Sequence, residues 1–137
     1  MINRFLALLC CLLLCGCFKS DEPEIYTYEP RRVCLEGKLV RGTNELLPEH
    51  YILELEKPIH VLPLDRFDPA FNQLIQRNVS KIRLIVHWQD DKDPYEKYNS
   101  LVDQTVKVQG CLVYSKSHRF PSKILLDVQE LEILDKQ

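Results

Sequence analysis

Residues 105–114 read TVKVQGCLVY and alternate apolar with polar side chains. Val108 and Leu112 share one face of this segment, whereas Lys107 and Gln109 share the other. A period of two residues is the pattern of a β-strand with one buried face. The stretch therefore predicts a strand that packs one side against a core.

Strand-like patterns recur on both sides of this stretch. Alternating or β-branched apolar runs predict four further strands, at Val33–Arg41, His50–Leu62, Lys81–Trp88 and Lys123–Leu134. In the last of these strands the apolar phase slips by one residue. The slip predicts a β-bulge near Gln129 or Glu130, because an extra residue in one strand shifts the alternation.

Two short helices are predicted from their start signals. Asp68 and Asp93 each precede a proline, and an aspartate N-cap followed by proline at the first helical position is a common helix start. Glu96 follows Asp93 by three residues and supplies the second half of a capping box. Apolar residues then recur at helical spacing after each start.

The order of these elements predicts a mainly β domain. Five strands with a helix between the third and fourth are the order of the OB-fold, a small Greek-key barrel. Gly37 and Gly110 lie within strand patterns and fit the bends that such a barrel requires. We therefore expect a five-stranded OB-fold-like barrel with one or two short helices, and an open β-sandwich is the competing fold.

The composition restricts the classes of partner. A chain of 137 residues with 45% hydrophobic and 28% charged residues is typical of one globular domain. Its formal charge is −2, and a chain that starts at Cys17 has 17 Lys and Arg against 20 Asp and Glu, or −3. Nucleic-acid-binding domains usually carry a basic excess, so we expect no nucleic-acid partner.

The N-terminus predicts an exported lipoprotein. Arg4 and the apolar run that follows it are typical of a secretory signal, and the run is too short to span a bilayer. Residues 14–17 read LCGC and resemble a bacterial lipobox, which implies lipidation of Cys17. Residue 18 is Phe rather than Asp, and by resemblance to enterobacterial sorting rules this favours the outer membrane, facing the periplasm.

These signals divide the chain into three expected parts. They are a signal peptide at residues 1–16, the lipidated Cys17 with a tether to residue 30, and the barrel domain at residues 31–137. Acyl chains on Cys17 imply stable attachment to the membrane.

The mature chain resembles a domain of unknown function found in small bacterial exported proteins. The motifs that carry the resemblance are YEP at residues 28–30, VxLxG at 33–37, LxKPIxV at 55–61 and VxVxGxL at 106–112. Members of that family often have Cys where this chain has His60, and a His-rich turn where it has residues 117–119, SHR. The resemblance implies the fold and the exported address, but no activity.

Two cysteines remain as thiols once the signal is removed and Cys17 is acylated. Cys34 and Cys111 lie on the outward-facing side of neighbouring predicted strands, so a disulfide would join them across the sheet. Two free thiols are the alternative. A redox-active pair is disfavoured, because the chain lacks a close Cys-x-x-Cys motif.

No pattern in the chain predicts catalysis or a cofactor. His50, His60, His87 and His118 lie in separate segments without the short spacing typical of metal sites. No serine lies in a G-x-S-x-G elbow. We therefore expect no catalytic residues, no metal site and no cofactor.

Two aromatic residues are candidates for a binding face. Tyr51 and Trp88 lie on the predicted second and third strands, whose outer face often binds ligands in OB-folds. The alternative is that Tyr51 belongs to the core and Trp88 covers one end of the barrel. The leading expectation is a non-catalytic module that binds a protein or another envelope component. The alternatives are an immunity or inhibitor protein against a periplasmic toxin, and, less favoured, a hydrolase or redox enzyme.

Overall fold

Six strands and two short helices form the part of the chain that the computed structural model describes, residues 22–44, 47–87, 92–116 and 123–134. The protein is therefore mainly β. In chain order the elements are β1 (Ile25–Thr27), β2 (Arg32–Asn44), β3 (Leu47–Leu62), α1 (Phe71–Leu74), β4 (Gln76–Ile85), α2 (Pro94–Leu101), β5 (Thr105–Tyr114) and β6 (Ile124–Ile133).

Five of these strands pair in a closed ring. β2 pairs antiparallel with β3 on one side and with β5 on the other. β5 pairs antiparallel with β6, β6 pairs parallel with β4, and β4 pairs antiparallel with β3. β1 lies outside the ring and adds in parallel to the far end of β3. Helix α2 falls between the third and fourth strands of the ring, as expected.

Side chains alternate between the inside of the ring and its outer surface. On β2, Leu35 and Leu39 are buried, whereas Cys34 and Lys38 are exposed. Fully burying one aliphatic side chain of this size stabilises a fold by about 1.5–3 kcal/mol. The largest fully buried side chains come from all five ring strands and are Tyr51, Leu39, Leu53, Ile82, Leu112, Ile124 and Leu126.

The predicted β-bulge in the last strand is confirmed. Gln109 lies opposite Glu130 and Gly110 lies opposite Val128, so Gln129 is the extra residue. A Cβ atom on Gly110 would collide with the backbone carbonyl of Asp127 on β6. Glycine is therefore required at this position, because the two strands approach each other too closely for a side chain.

Helix α2 begins as predicted, and α1 does not. Asp93 accepts a hydrogen bond from the Tyr95 N–H at 2.9 Å, with Pro94 at the first helical position. Asp68 makes the corresponding contact, since its carboxylate accepts the Ala70 N–H at 2.8 Å, but Pro69 and Ala70 form a turn rather than the first helical residues. Helix α1 begins only after this turn, at Phe71.

Residues between β1 and β2 pack against the ring. Tyr28 is buried, and its hydroxyl donates a hydrogen bond to the Leu74 carbonyl at 2.7 Å. The Glu29 N–H donates to the Leu112 carbonyl at 2.8 Å. The segment therefore crosses from β3 to β5 and is part of the folded structure.

The predicted bounds of β4 are also wrong. The strand was expected over 81–88 but starts at Gln76 and ends at Ile85. The first half of β4 lacks a simple alternation, because two pairs of consecutive residues are exposed there. Neither helix in the described residues combines the length and apolar character that crossing a membrane requires.

Candidate binding groove

The pairing between β3 and β4 is interrupted at one place. Glu54 lies opposite Lys81, but the next pair along the sheet is Ile59 opposite Val79. Four residues of β3 therefore face one residue of β4, and Pro58, which has no N–H to donate, lies among those four. Extra residues of this kind bend a strand sharply, so β3 turns away at this point.

Opposite this interruption, β4 has two pairs of consecutive exposed residues. Arg77 and Asn78 form the first pair, and Ser80 and Lys81 form the second. Asn78 has φ of 53°, in the left-handed region that asparagine tolerates better than most residues. Its N–H donates a hydrogen bond to His60 Nδ1 at 3.1 Å. Four of the five residues from Arg77 to Lys81 are therefore exposed polar residues.

An open groove of about 350 Å³ lies along this surface of β4. Its described lining contains four cationic side chains and no carboxylate. We call it the basic groove after these four residues, which are Arg77, Lys81, Arg83 and Lys123.

Two of the groove cations are in contact with neighbouring strands. Lys81 Nζ lies 3.9 Å from Glu54 Oε1, and 66% of the Lys81 side chain and 40% of the Glu54 side chain are exposed, so water weakens this pair. Arg83 is partly covered between Ile52 and Leu125 on the neighbouring strands. Burial lowers the pKa of the Arg83 guanidinium, but an arginine stays charged at neutral pH.

Lys123 reaches the groove from another part of the chain. It directly precedes β6, and its carbonyl accepts the Ser115 N–H at 2.8 Å, which joins the two ends of the β5–β6 connection. The parallel pairing of β6 with β4, with Leu125 beside Arg83, brings this end of the connection against β4. The groove therefore exists only because the ring closes.

A second groove, of about 620 Å³, carries the opposite charge. It lies beside β1, and its charged lining residues are Lys57 and four glutamates: Glu22, Glu24, Glu36 and Glu56. The domain thus separates negative from positive charge over its surface, although its net charge is small.

A third groove, of about 850 Å³, lies between α2 and β6 and has mixed charge. Several of its side chains have structural partners. Asp93 caps α2, Lys97 Nζ donates to the Leu131 carbonyl at 2.8 Å, and His87 contacts Asp127 through a short polar contact. Because these groups are occupied and of both signs, this groove is a weaker candidate than the basic groove.

Tyr51 belongs to the core and not to a binding face. Its side chain is 1% exposed, its hydroxyl donates to Asn99 Oδ1 at 2.6 Å, and its ring lies 5.1 Å from that of Tyr98. Because α2 covers this ring, Tyr51 agrees with the alternative of a core residue rather than with a role on a binding face. The other predicted aromatic, Trp88, lies outside the described residues, as do Cys17 and His118.

Cys34 and Cys111 are free thiols in this structure. The residue opposite Cys34 is Gln109, and the residue opposite Cys111 is Arg32. The two cysteines are therefore diagonal neighbours on one surface rather than a directly facing pair. Cys111 Sγ lies 3.8 Å from the Pro30 carbonyl oxygen.

The described histidines are separate from one another. His50 is buried, His60 contacts the Asn78 N–H, and His87 contacts Asp127. No group of three or more His, Cys, Asp or Glu residues in the described ranges has the arrangement of a metal site.

Comparison with protein-family models and with curated proteins found no match to this chain. The resemblance to the exported domain of unknown function therefore stays a prediction.

The four groove cations were not among the predicted site residues. A signal for two of them was present, since Lys81 and Arg83 alternate with the apolar Ile82 and Leu84. That alternation indicates a strand with one buried and one charged face, but it does not indicate that the charged face holds a ligand. Lys123 has no local signal, because it joins the groove only through the β4–β6 pairing.

Proposed function

We propose that this protein is a non-catalytic binding module that holds an anionic ligand in the basic groove. The observation that carries the proposal is the charge of the groove. Four cations meet in one groove whose described lining has no carboxylate, on a chain with a net charge of −2. On a mildly acidic surface, cationic side chains can lie apart from one another and beside carboxylates. Four cations that share one groove repel one another, and an anionic ligand offsets that repulsion, so their arrangement favours an anionic partner.

We further propose that the ring is an OB-fold-like barrel, and this supports the choice of groove. In OB-folds the ligand lies on the face of the second and third strands, beside the loop between the fourth and fifth. Here the corresponding strands of the ring are β3 and β4, and Lys123 ends the corresponding loop. The basic groove therefore coincides with the usual OB ligand face.

The proposed address is the periplasmic face of the outer membrane, through lipid on Cys17. Four residues separate Cys17 from Glu22, where the described chain begins, and the five steps between the two residues span at most about 18 Å when fully extended. Such a short tether keeps the groove near the membrane surface. A ligand in the cell envelope is consistent with this position.

Binding of fluorescent dextran sulfate to the full-length protein in neutral detergent tests the proposal. We expect Arg83→Gln, Lys81→Gln and Lys123→Gln each to weaken binding about 3- to 5-fold, because each removes one charge from the contact surface. Their combination should weaken binding by about 50-fold. Fluorescence anisotropy at fixed low salt gives the dissociation constants.

Lys107→Gln is the matched control. Lys107 lies on β5, opposite Glu36 and Glu132 and away from the groove, and its replacement changes the net charge by the same amount. It should leave the affinity within about twofold. Equal weakening by Lys107→Gln and Arg83→Gln would show that the polyanion senses only total charge, and the proposal would then fail.

A further inference from the structure

We propose that the ligand of the basic groove is a phosphorylated oligosaccharide, an inference that rests on the function proposed above. It concerns which anion the groove selects. Three properties of the groove indicate this ligand class: its uncharged polar side chains, its shape and its few apolar atoms.

Uncharged polar side chains lie between the cations. Gln76, Asn78 and Ser80 line the same groove, and Asn78 and Ser80 are exposed. Amides and hydroxyls both donate and accept hydrogen bonds, which matches the hydroxyl groups of a sugar. Guanidinium and ammonium groups, which only donate, match phosphate oxygens. A ligand that carries both sugar hydroxyls and phosphates uses all of these groups.

The cations are arranged along a line. Arg77, Lys81 and Arg83 lie on one strand, and six residues of strand span at most about 20 Å. Lys123 lies to one side of this line, on the neighbouring element. An extended ligand with several separated negative charges fits this arrangement better than one compact anion does.

The apolar part of the groove is too small for a protein partner. The aliphatic lining residues are Ile52, Val79 and Ile124, and Ile124 is only 1% exposed. Stable protein interfaces bury about 1,200–2,000 Å² around aromatic or other large anchors. The described lining also contains no aromatic ring, so it offers no surface on which nucleobases would stack.

Three probes separate the candidate ligand classes by isothermal titration of the full-length protein. They are the phosphorylated core oligosaccharide of lipopolysaccharide freed of its acyl chains, the same oligosaccharide after dephosphorylation, and poly-L-glutamate of similar charge. We expect the phosphorylated oligosaccharide to bind, its dephosphorylated form to bind at least 10-fold more weakly, and poly-L-glutamate to bind at least 10-fold more weakly.

Two variants test the sugar contacts separately from charge. Asn78→Gly retains a backbone that accepts positive φ, and Ser80→Ala removes one hydroxyl. The double variant should weaken oligosaccharide binding by about 5- to 10-fold and leave dextran sulfate binding within twofold. A merely electrostatic groove would not distinguish the two ligands.

The outcomes distinguish the two proposals. If poly-L-glutamate binds as tightly as the oligosaccharide, or if dephosphorylation has no effect, the ligand class is wrong while a binding groove remains. If the oligosaccharide, poly-L-glutamate and dextran sulfate all fail to bind the folded protein, both the ligand class and the proposed function are overturned.

Discussion

Two tyrosine rings of α2, those of Tyr95 and Tyr98, pack against Tyr51 on β3. The Tyr51 ring lies 6.1 Å from that of Tyr95 and 5.1 Å from that of Tyr98. Burial, together with the neighbouring Tyr51, raises the pKa of Tyr98 to about 12 from the ordinary value of 10.0. Burial and a hydrogen bond with Glu24 likewise raise the pKa of Tyr26 to about 12. The phenols of Tyr98 and Tyr26 therefore ionise more readily in the unfolded chain than in the folded one.

The sign of the effect on stability follows from linkage. Below pH 10 the phenols are neutral in both states, so their contribution to stability is fully present. It is lost as the pH rises from 10 towards 12, because only the unfolded state releases protons easily. For Tyr98 alone the loss at pH 11 is about 1 kcal/mol.

Tyr98→Phe should therefore reduce the sensitivity of the fold to alkaline pH. We expect the free energy of unfolding to fall between pH 8 and pH 11 by about 1 kcal/mol less in the variant than in the wild type. Urea titrations followed by circular dichroism give both values, and each protein at pH 8 is its own reference. Identical losses in the two proteins would contradict the assigned role of Tyr98.

At the scale of elements, β5 and β6 approach each other closely at Gly110. Gly110→Ala places a methyl group against the Asp127 carbonyl, which belongs to the backbone and has little freedom to move. We expect a loss of about 2–3 kcal/mol in the free energy of unfolding, as for other overpacked sites. Chemical denaturation measures this change.

Gln109→Ala is the control for that substitution. Gln109 lies on the same strand, next to Gly110, and its side chain is only partly buried. The control should change stability by less than about 1 kcal/mol. If Gly110→Ala is equally mild, the two strands separate more easily than their spacing in the structure implies.

Sequence periodicity predicted the elements whose alternation is regular. The inward positions of β5, the extra residue at Gln129 and the start of α2 at Pro94 all depend on short-range patterns. The first half of β4 could not be predicted this way, because two pairs of exposed residues break its period of two. Strand β1 has only three residues and pairs with residues 60–62, far along the chain, so no local signal marks it.

The candidate site was less predictable than the fold for a related reason. The alternation along β3 places Tyr51 in phase with Leu53, and both are buried, which agrees with the alternative that Tyr51 belongs to the core. Alternation shows which face of a strand is apolar, but it does not show which charged face holds a ligand. Lys123 becomes a neighbour of the three β4 cations only through the non-local pairing of β6 with β4.

At the scale of the whole molecule, the proposed lipid anchor is the feature to test. If Cys17 is acylated as proposed, Cys17→Ser should move the protein from the membrane fraction to the soluble periplasmic fraction, because the variant lacks the thiol that would accept the acyl chains. Labelling of growing cells with radioactive palmitate should mark the wild type and not the variant. Cys34→Ser, which removes a cysteine on the folded domain, should keep both the label and the membrane location.

Retention of the Cys17→Ser protein in the membrane fraction, without label, would mean that another part of the chain holds it there. Labelling of the variant would mean that a different cysteine accepts the lipid.

The alternation along β4 places two kinds of residue on one strand. Ile82 and Leu84 are buried in the ring. Lys81 and Arg83, which alternate with them along the strand, face the groove. Mutations that alter the outer set leave the packed interior intact, because neighbouring residues point to opposite sides of the sheet. Related genes can therefore diverge towards different ligands while natural selection preserves one interior, and inheritance of the fold does not require inheritance of the specificity.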